Sequence, residues 1–274
     1  MMKSIAGKTV LLTGASGGIG TFITRALVIE KATVVAVSRS QRKLNDICTE
    51  VTALGGKAIG IPFDISQVAE LPNLIQQINQ VVGQIDILIN NAAIEKYRPF
   101  HLYTLQDIQS TLTTNLVASM ELTRLVLPSM LAHNSGHIVN IASGSGKKGM
   151  PYNSIYSASK AGLIMWTDAL RQELADTNIG VSVVCPGYTA AGMFSALGVP
   201  APSLARVAPP EEVAIAVLNA IKKNQAEVLL DGLIAKLLFS NFQLFPQFGD
   251  FLYKLLGMTK LNKISAEQQM RSSD

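Results

Sequence analysis

TGASGGIG, Thr13–Gly20, lies between a run of strand length, KTVLLTG (residues 8–14), and a helical pattern that continues to about Lys31. Glycines at such a turn let the backbone bend tightly and approach a pyrophosphate, whose charge then faces a helix N-terminus. Tight turns use glycine for many reasons, so the strand–turn–helix context carries the signal. It makes Gly14, Gly18 and Gly20 candidate dinucleotide-binding positions.

Working outward, apolar runs alternate with helical patterns. TVVAVS (33–38), KAIGIPFD (57–64), IDILINN (85–91), GHIVNIAS (136–143), IGVSVVCPG (179–187) and AEVLLDG (226–232) read as further strands. Helices are expected from about Gln41, from about Gln67, over Thr104–His133, over Asn153–Thr177 and over 209–223. TLQD at Thr104–Asp107 offers a Thr-x-x-Asp cap, and PPEE at 209–212 opens a helix with proline and acidic residues. Strands rich in Val, Ile and Leu without alternation fit a parallel sheet buried on both faces. The expected architecture is α/β, a single doubly wound domain with a seven-stranded parallel sheet flanked by helices. The segment Ala190–Ala208, with glycines and two prolines, reads as a long loop of the kind that covers sites.

Charged residues make up 15% of the 274 residues, below the roughly 25% usual for soluble domains. Much apolar surface must therefore be hidden in a core, a subunit interface or a membrane surface. The formal charge of +4, with no basic stripe, argues against nucleic acid as a partner. Cys48 and Cys185 show no metal spacing, so no metal site is expected and a reduced, cytoplasmic protein is the economical reading. The N-terminus lacks a signal-peptide pattern, and no uninterrupted apolar stretch reaches spanning length.

The end of the second strand bears on the cofactor. An acidic residue there would hold the ribose 2′-hydroxyl of NAD, whereas arginine accommodates the 2′-phosphate of NADP. The sequence reads AVSRSQRK: Ser38 takes the acidic position, Arg39 follows, and Arg42 and Lys43 add positive charge. NADP, as NADPH, is therefore the expected cofactor.

With these come NNAA (90–93), TNL around Asn115, Ser143, YSASK (Tyr156–Lys160) and PG (186–187). Together with TGASGGIG, in this order and spacing, they resemble the short-chain dehydrogenase/reductase family over about Gly7–Gly232. The resemblance implies a Rossmann-type fold and a catalytic set of Asn115, Ser143, Tyr156 and Lys160. Tyr156 would donate a proton, and a neighbouring ammonium would lower its pKa of about 10. Lys160 would also hold the nicotinamide ribose, Ser143 the carbonyl oxygen, and Asn115 a relay water. Further cofactor contacts implied are Ser16, Ile19, Asp64, Ile65, Asn91 and Thr189, with Arg39 at the 2′-phosphate. Two positions depart from the family pattern: Ala93 replaces the glycine of its Asn-Asn-Ala-Gly motif, and Ala191 stands where a threonine is common. The family commonly forms homodimers or homotetramers. A cofactor-sensing binding protein would share the fold, but sensing alone needs no proton donor.

The loop after PG is apolar, with Met193, Phe194, Leu197, Val199 and Leu204, and suits a hydrophobic ketone or the matching alcohol. A 3-oxoacyl chain, a steroid or a long-chain lipid base would qualify. Lys147 and Lys148, between Ser143 and Tyr156, would either greet an acidic group or remain solvated. The chain divides into a catalytic domain over 1–232 and an apolar extension over 233–274. The extension holds five of the nine phenylalanines, 239, 242, 245, 248 and 251, in what read as two short amphipathic pieces. It would serve as a lid, an oligomer contact or a peripheral membrane surface.

Overall fold

Seven parallel strands, the five inner ones buried on both faces, form a sheet in the order β3 (Lys57–Pro62), β2 (Thr33–Ser38), β1 (Thr9–Thr13), β4 (Ile87–Asn90), β5 (Gly136–Ile141), β6 (Ile179–Cys185), β9 (Glu227–Leu229). The computed structural model describes residues 2–201, 205–230 and 232–271. On one wing β1 (Thr9–Thr13), α1 (Gly18–Ile29), β2 (Thr33–Ser38), α2 (Gln41–Ala53) and β3 (Lys57–Pro62) alternate. After α3 (Leu71–Val82) the chain crosses to β4 (Ile87–Asn90), beside β1. The other wing holds α4 (Leu105–Leu112), α5 (Ala118–Ala132), β5 (Gly136–Ile141), α6 (Ser154–Glu173) and β6 (Ile179–Cys185). A two-residue pair, β7 (Tyr188–Thr189) with β8 (Val207–Ala208), brackets α7 (Gly192–Ala196). Then come α8 (Pro210–Lys223) and the edge strand β9 (Glu227–Leu229), which pairs with β6.

Alternate residues of each strand feed opposite core layers. Val10 and Leu12 of β1 join Ile23 and Leu27 of α1 and Val217 of α8, whereas Leu11 joins Leu74 of α3 and Leu122 of α5. That explains why the strands lack a polar face.

The expected helix Thr104–His133 is divided. A π turn, Thr113–Val117, separates α4 from α5, and such turns are frequent at functional sites. The capping box at its start forms: Thr104 Oγ1 accepts from Asp107 N at 3.1 Å, and the Asp107 carboxylate accepts from Thr104 N. The 190–208 segment is not uniformly loop, since it contains α7 and β8, and its Leu204 lies outside the described residues.

The extension forms three helices rather than two short pieces: α9 (Gly232–Leu244), α10 (Pro246–Leu255) and α11 (Met258–Arg271). Phe242 meets Phe239 and Tyr253 edge-on, with ring centroids 6.0 and 5.8 Å apart. A Cβ at Gly249 would lie 3.0 Å from the Phe242 ring, so the missing side chain lets α10 close on α9. Among the described residues no helix is long and apolar enough to cross a membrane.

Candidate active site

The turn after β1 is built so that its backbone stays bare. Gly14 adopts φ +65°, in the left-handed region. A Cβ on Gly20 would fall 2.0 Å from the Gly14 carbonyl oxygen, and one on Gly18 2.1 Å from Gly192 N. Asn91 braces the turn, its Nδ2 donating to the carbonyls of Thr13 at 3.0 Å and Gly14 at 3.2 Å. That side chain is thus engaged with the loop itself. Ser16 and Ser38 share a hydroxyl–hydroxyl bond of 2.6 Å where a carboxylate was absent from the sequence. Arg39 is exposed beside them, and Arg39 and Lys43 make no ion pair among the described residues, whereas Arg42 faces Asp46 at 3.5 Å. Asp64 accepts from Ser66 N at 3.0 Å, and Ile65 is buried.

These residues border one cavity of about 890 Å³, which Ser143, Tyr156, Lys160 and Thr189 also line. Tyr156 and Lys160 stand one turn apart on α6, both buried. Lys160 Nζ donates to the Ile141 carbonyl at 2.8 Å and sits 5.6 Å from the centroid of the Tyr156 ring. Tyr156 shares a hydrogen bond with Ser143, whose Oγ also accepts from Ser145 N. The expectation that Lys160 depresses the Tyr156 pKa is not met: burial, reinforced by the charge of Glu95, pushes the phenol up, against the Ser143 hydrogen bond. The ammonium faces the ring and the backbone carbonyl, and desolvation sets the direction of the shift. Burial in turn lowers Lys160 to about 8, opposed by Cys185 and Glu95.

Asn115, in the π turn, is fully buried and does not border the cavity. Its Oδ1 accepts from Ile94 N at 2.8 Å, and its Nδ2 donates to the Ile94 carbonyl and to Ser159 Oγ. The side chain clamps the loop after β4 to α6.

The far wall of the cavity comes from the extension, through Leu238, Phe239, Phe242, Leu252, Tyr253 and Leu256. Of its five phenylalanines, Phe239 and Phe242 face this wall while Phe245, Phe248 and Phe251 are exposed. Lys148 Nζ ties this cover down by donating to Asp250 at 2.6 Å, and Lys147 pairs with Glu227. Neither lysine is left solvated. Ala93 and Ala191 both border the cavity, and Ala191 precedes α7. Sequence reasoning missed Glu95, which borders the cavity with Tyr97 and Asn153. One acidic residue in a charged loop, IEKYR, offers no signal that would have found it.

The chain matches the family model described as short chain dehydrogenase over residues 8–199. It is 51% identical to the ketoacyl reductase HetN of a Nostoc species, across 98% of this chain and 96% of that protein. Against the 3-oxoacyl-[acyl-carrier-protein] reductase FabG of Thermotoga maritima identity is 33%, covering 78% and 90%. A variant actinorhodin polyketide ketoreductase crystallised with NADPH superposes with a TM-score of 0.77 at 30% identity, covering 83% of this chain and 97% of that one. A metagenomic short-chain oxidoreductase in complex with NADP gives a TM-score of 0.71 at 30% identity, covering 82% and 97%. The chain therefore belongs to the short-chain dehydrogenase family of oxidoreductases.

Proposed function

We propose that the protein interconverts a ketone and a secondary alcohol with NADP(H), on a hydrophobic, lipid-like substrate. The observation that carries this reading is convergence. One cavity brings together a glycine turn with no room for side chains, the group Ser143–Tyr156–Lys160, and an apolar cover.

The residues fit a dinucleotide. Gly14, Ser16, Gly18, Ile19 and Gly20 would carry the pyrophosphate, Asp64, Ile65 and Asn91 the adenosine side, and Thr189 the nicotinamide amide. Arg39 and Lys43, two cations beside a serine pair that make no ion pair among the described residues, favour a 2′-phosphate over a bare ribose. When bound, this cofactor supplies the hydride for the carbonyl carbon.

The chain does the rest. Tyr156 stays a phenol in its buried setting, so it holds a proton ready for the carbonyl oxygen. Ser143, hydrogen-bonded to that phenol, supports the charge that develops on the same oxygen. Lys160, below its pKa of about 8, supplies the positive charge that makes loss of the phenol proton feasible. Phe239, Phe242, Leu252 and Leu256 would shield the reaction from water and bind an apolar chain. The relatives named as ketoacyl and 3-oxoacyl reductases support the same substrate class.

The test is NADPH oxidation over a ketone panel graded in chain length and ring size, with Tyr156→Phe and NADH in parallel. Turnover should rise with hydrophobicity, favour NADPH and vanish in the variant. Equal use of NADH would overturn the cofactor assignment, and turnover limited to small polar ketones would overturn the substrate class.

A further inference from the structure

The loop after β4 carries a carboxylate into the cavity that the apolar extension covers. Asn115 grips Ile94 on both its backbone groups, and Gln269 of α11 accepts from Tyr97 N at 2.8 Å. Glu95 is thus fixed from both flanks. It keeps some accessible surface because it borders the cavity, yet protein encloses it closely enough that burial pushes its carboxyl up.

Its partners are donors. The Tyr97 hydroxyl is hydrogen-bonded to it, and Asn153 Nδ2 donates to Oε1 at 2.5 Å. Asn153 occupies the N-cap of α6, where its oxygen would ordinarily accept from a first-turn amide. It makes no such bond. The side chain is turned to Glu95 instead, is 1% exposed, and leaves Oδ1 buried without a partner.

A carboxylate offers about four lone-pair sites, of which two are used here. Glu95 forms no salt bridge among the described residues, and the nearby Lys160 donates to the Ile141 carbonyl. The other groups whose charge it feels or affects are the phenols of Tyr97 and Tyr156. A carboxyl so enclosed, bordering the cavity with lone pairs unused and no salt bridge among the described residues, is better satisfied when a ligand in the cavity donates to it.

We propose that Glu95, held by Tyr97 and Asn153, is a specificity subsite that selects apolar ketones bearing a hydrogen-bond donor, an ammonium or a hydroxyl, close to the carbonyl. The proposal rests on the reading above that this cavity reduces apolar ketones. Closeness to the carbonyl follows from the placement of Glu95, which is hydrogen-bonded to Asn153 at the start of α6, about one turn from Tyr156, and borders the same cavity.

The experiment uses full-length, NADPH-loaded protein and three ketones of equal chain length: a 2-amino-3-ketone, a 2-hydroxy-3-ketone and the unsubstituted 3-ketone. In the wild type kcat/KM should favour the amine over the plain ketone by about ten- to a hundredfold, with the alcohol between. Glu95→Gln should bring that ratio towards one. Equal rates in the wild type, or a ratio that survives the substitution, would overturn the subsite. Calorimetric titration with dodecylammonium and dodecanol gives a readout without turnover. The wild type should bind the ammonium at least about tenfold more tightly, and Glu95→Gln should erase the difference. If no ketone is reduced while this preference holds, the reductase reading fails and the subsite stands. If ketones are reduced without any preference, the subsite fails alone.

Discussion

Raising the pH from 7 to 9 should cut activity about tenfold while leaving the fold firmer. Lys160 is buried on α6, and desolvation lowers it to about 8, so about nine-tenths is charged at pH 7 and about one-tenth at pH 9. Tyr156, pushed up by burial, does not titrate in this range, and Cys185, pushed up to about 12, keeps its proton. If the ammonium is required for proton transfer, kcat follows the charged fraction. Stability runs the other way. In the unfolded chain a lysine keeps its proton to about pH 10.4. Between pH 8 and 9 the unfolded state therefore binds more protons than the native one, and unfolding becomes harder by about 1 kcal/mol. From about pH 8 the buried Cys185 thiol works in the opposite sense, because the unfolded chain, with its thiol near about 8.5, loses that proton first and offsets roughly half or more of this gain by pH 9. The assay pairs initial rates of NADPH oxidation at saturating ketone with urea unfolding, at half-unit steps from pH 6.5 to 9. A rate that is flat to pH 9 would refute the role given to Lys160. A fall in stability parallel to the rate would refute the burial argument, since loss of activity would then be unfolding.

Arg39→Ala should raise the KM for NADPH about tenfold and leave that for NADH within about twofold, because an exposed cation meeting a phosphate contributes modestly. Steady-state kinetics with both cofactors decides this. Gly18→Ala would set a Cβ 2.1 Å from Gly192 N, so either the glycine turn or α7 must shift. A fluorescence titration should show NADPH binding weakened at least about tenfold. His137, buried against Ser182 at 2.9 Å, is lowered to about 4 by burial. The unfolded chain takes up that proton from about pH 6.5, so acidification should remove about 3 kcal/mol by pH 4 through this group. His137→Gln should flatten the pH dependence of urea midpoints by that amount.

The sheet was legible because both its faces are buried: strands such as Val34–Val37 contribute alternate residues to opposite layers, which removes polar alternation and leaves plain apolar runs. The Tyr156–Lys160 pair was legible because helical spacing fixes proximity. Its electrostatics were not, since the sign of the Tyr156 shift depends on burial and on Glu95, which spacing does not encode. The period of three in the phenylalanines misleads for a similar reason. Pro246 restarts the helix after Phe245, so Phe239 and Phe242 turn inward on α9 while Phe248 and Phe251 turn outward on α10. Asn115 was found by motif, yet its hydrogen bonds to Ile94 and Ser159 depend on a π turn that propensity does not reveal. Lys147 and Lys148 look solvated in sequence because their partners, Glu227 and Asp250, are about 80 to 100 residues away.

The most direct test is a single turnover. Protein preloaded with NADPH is mixed with a medium-chain ketone at pH 7, and cofactor absorbance is followed in the wild type and in Tyr156→Phe. Decay in the wild type, with none in a variant that binds NADPH equally well, is the predicted result. Equal decay in both would contradict the assignment of Tyr156 as proton donor and, with it, the account of this cavity.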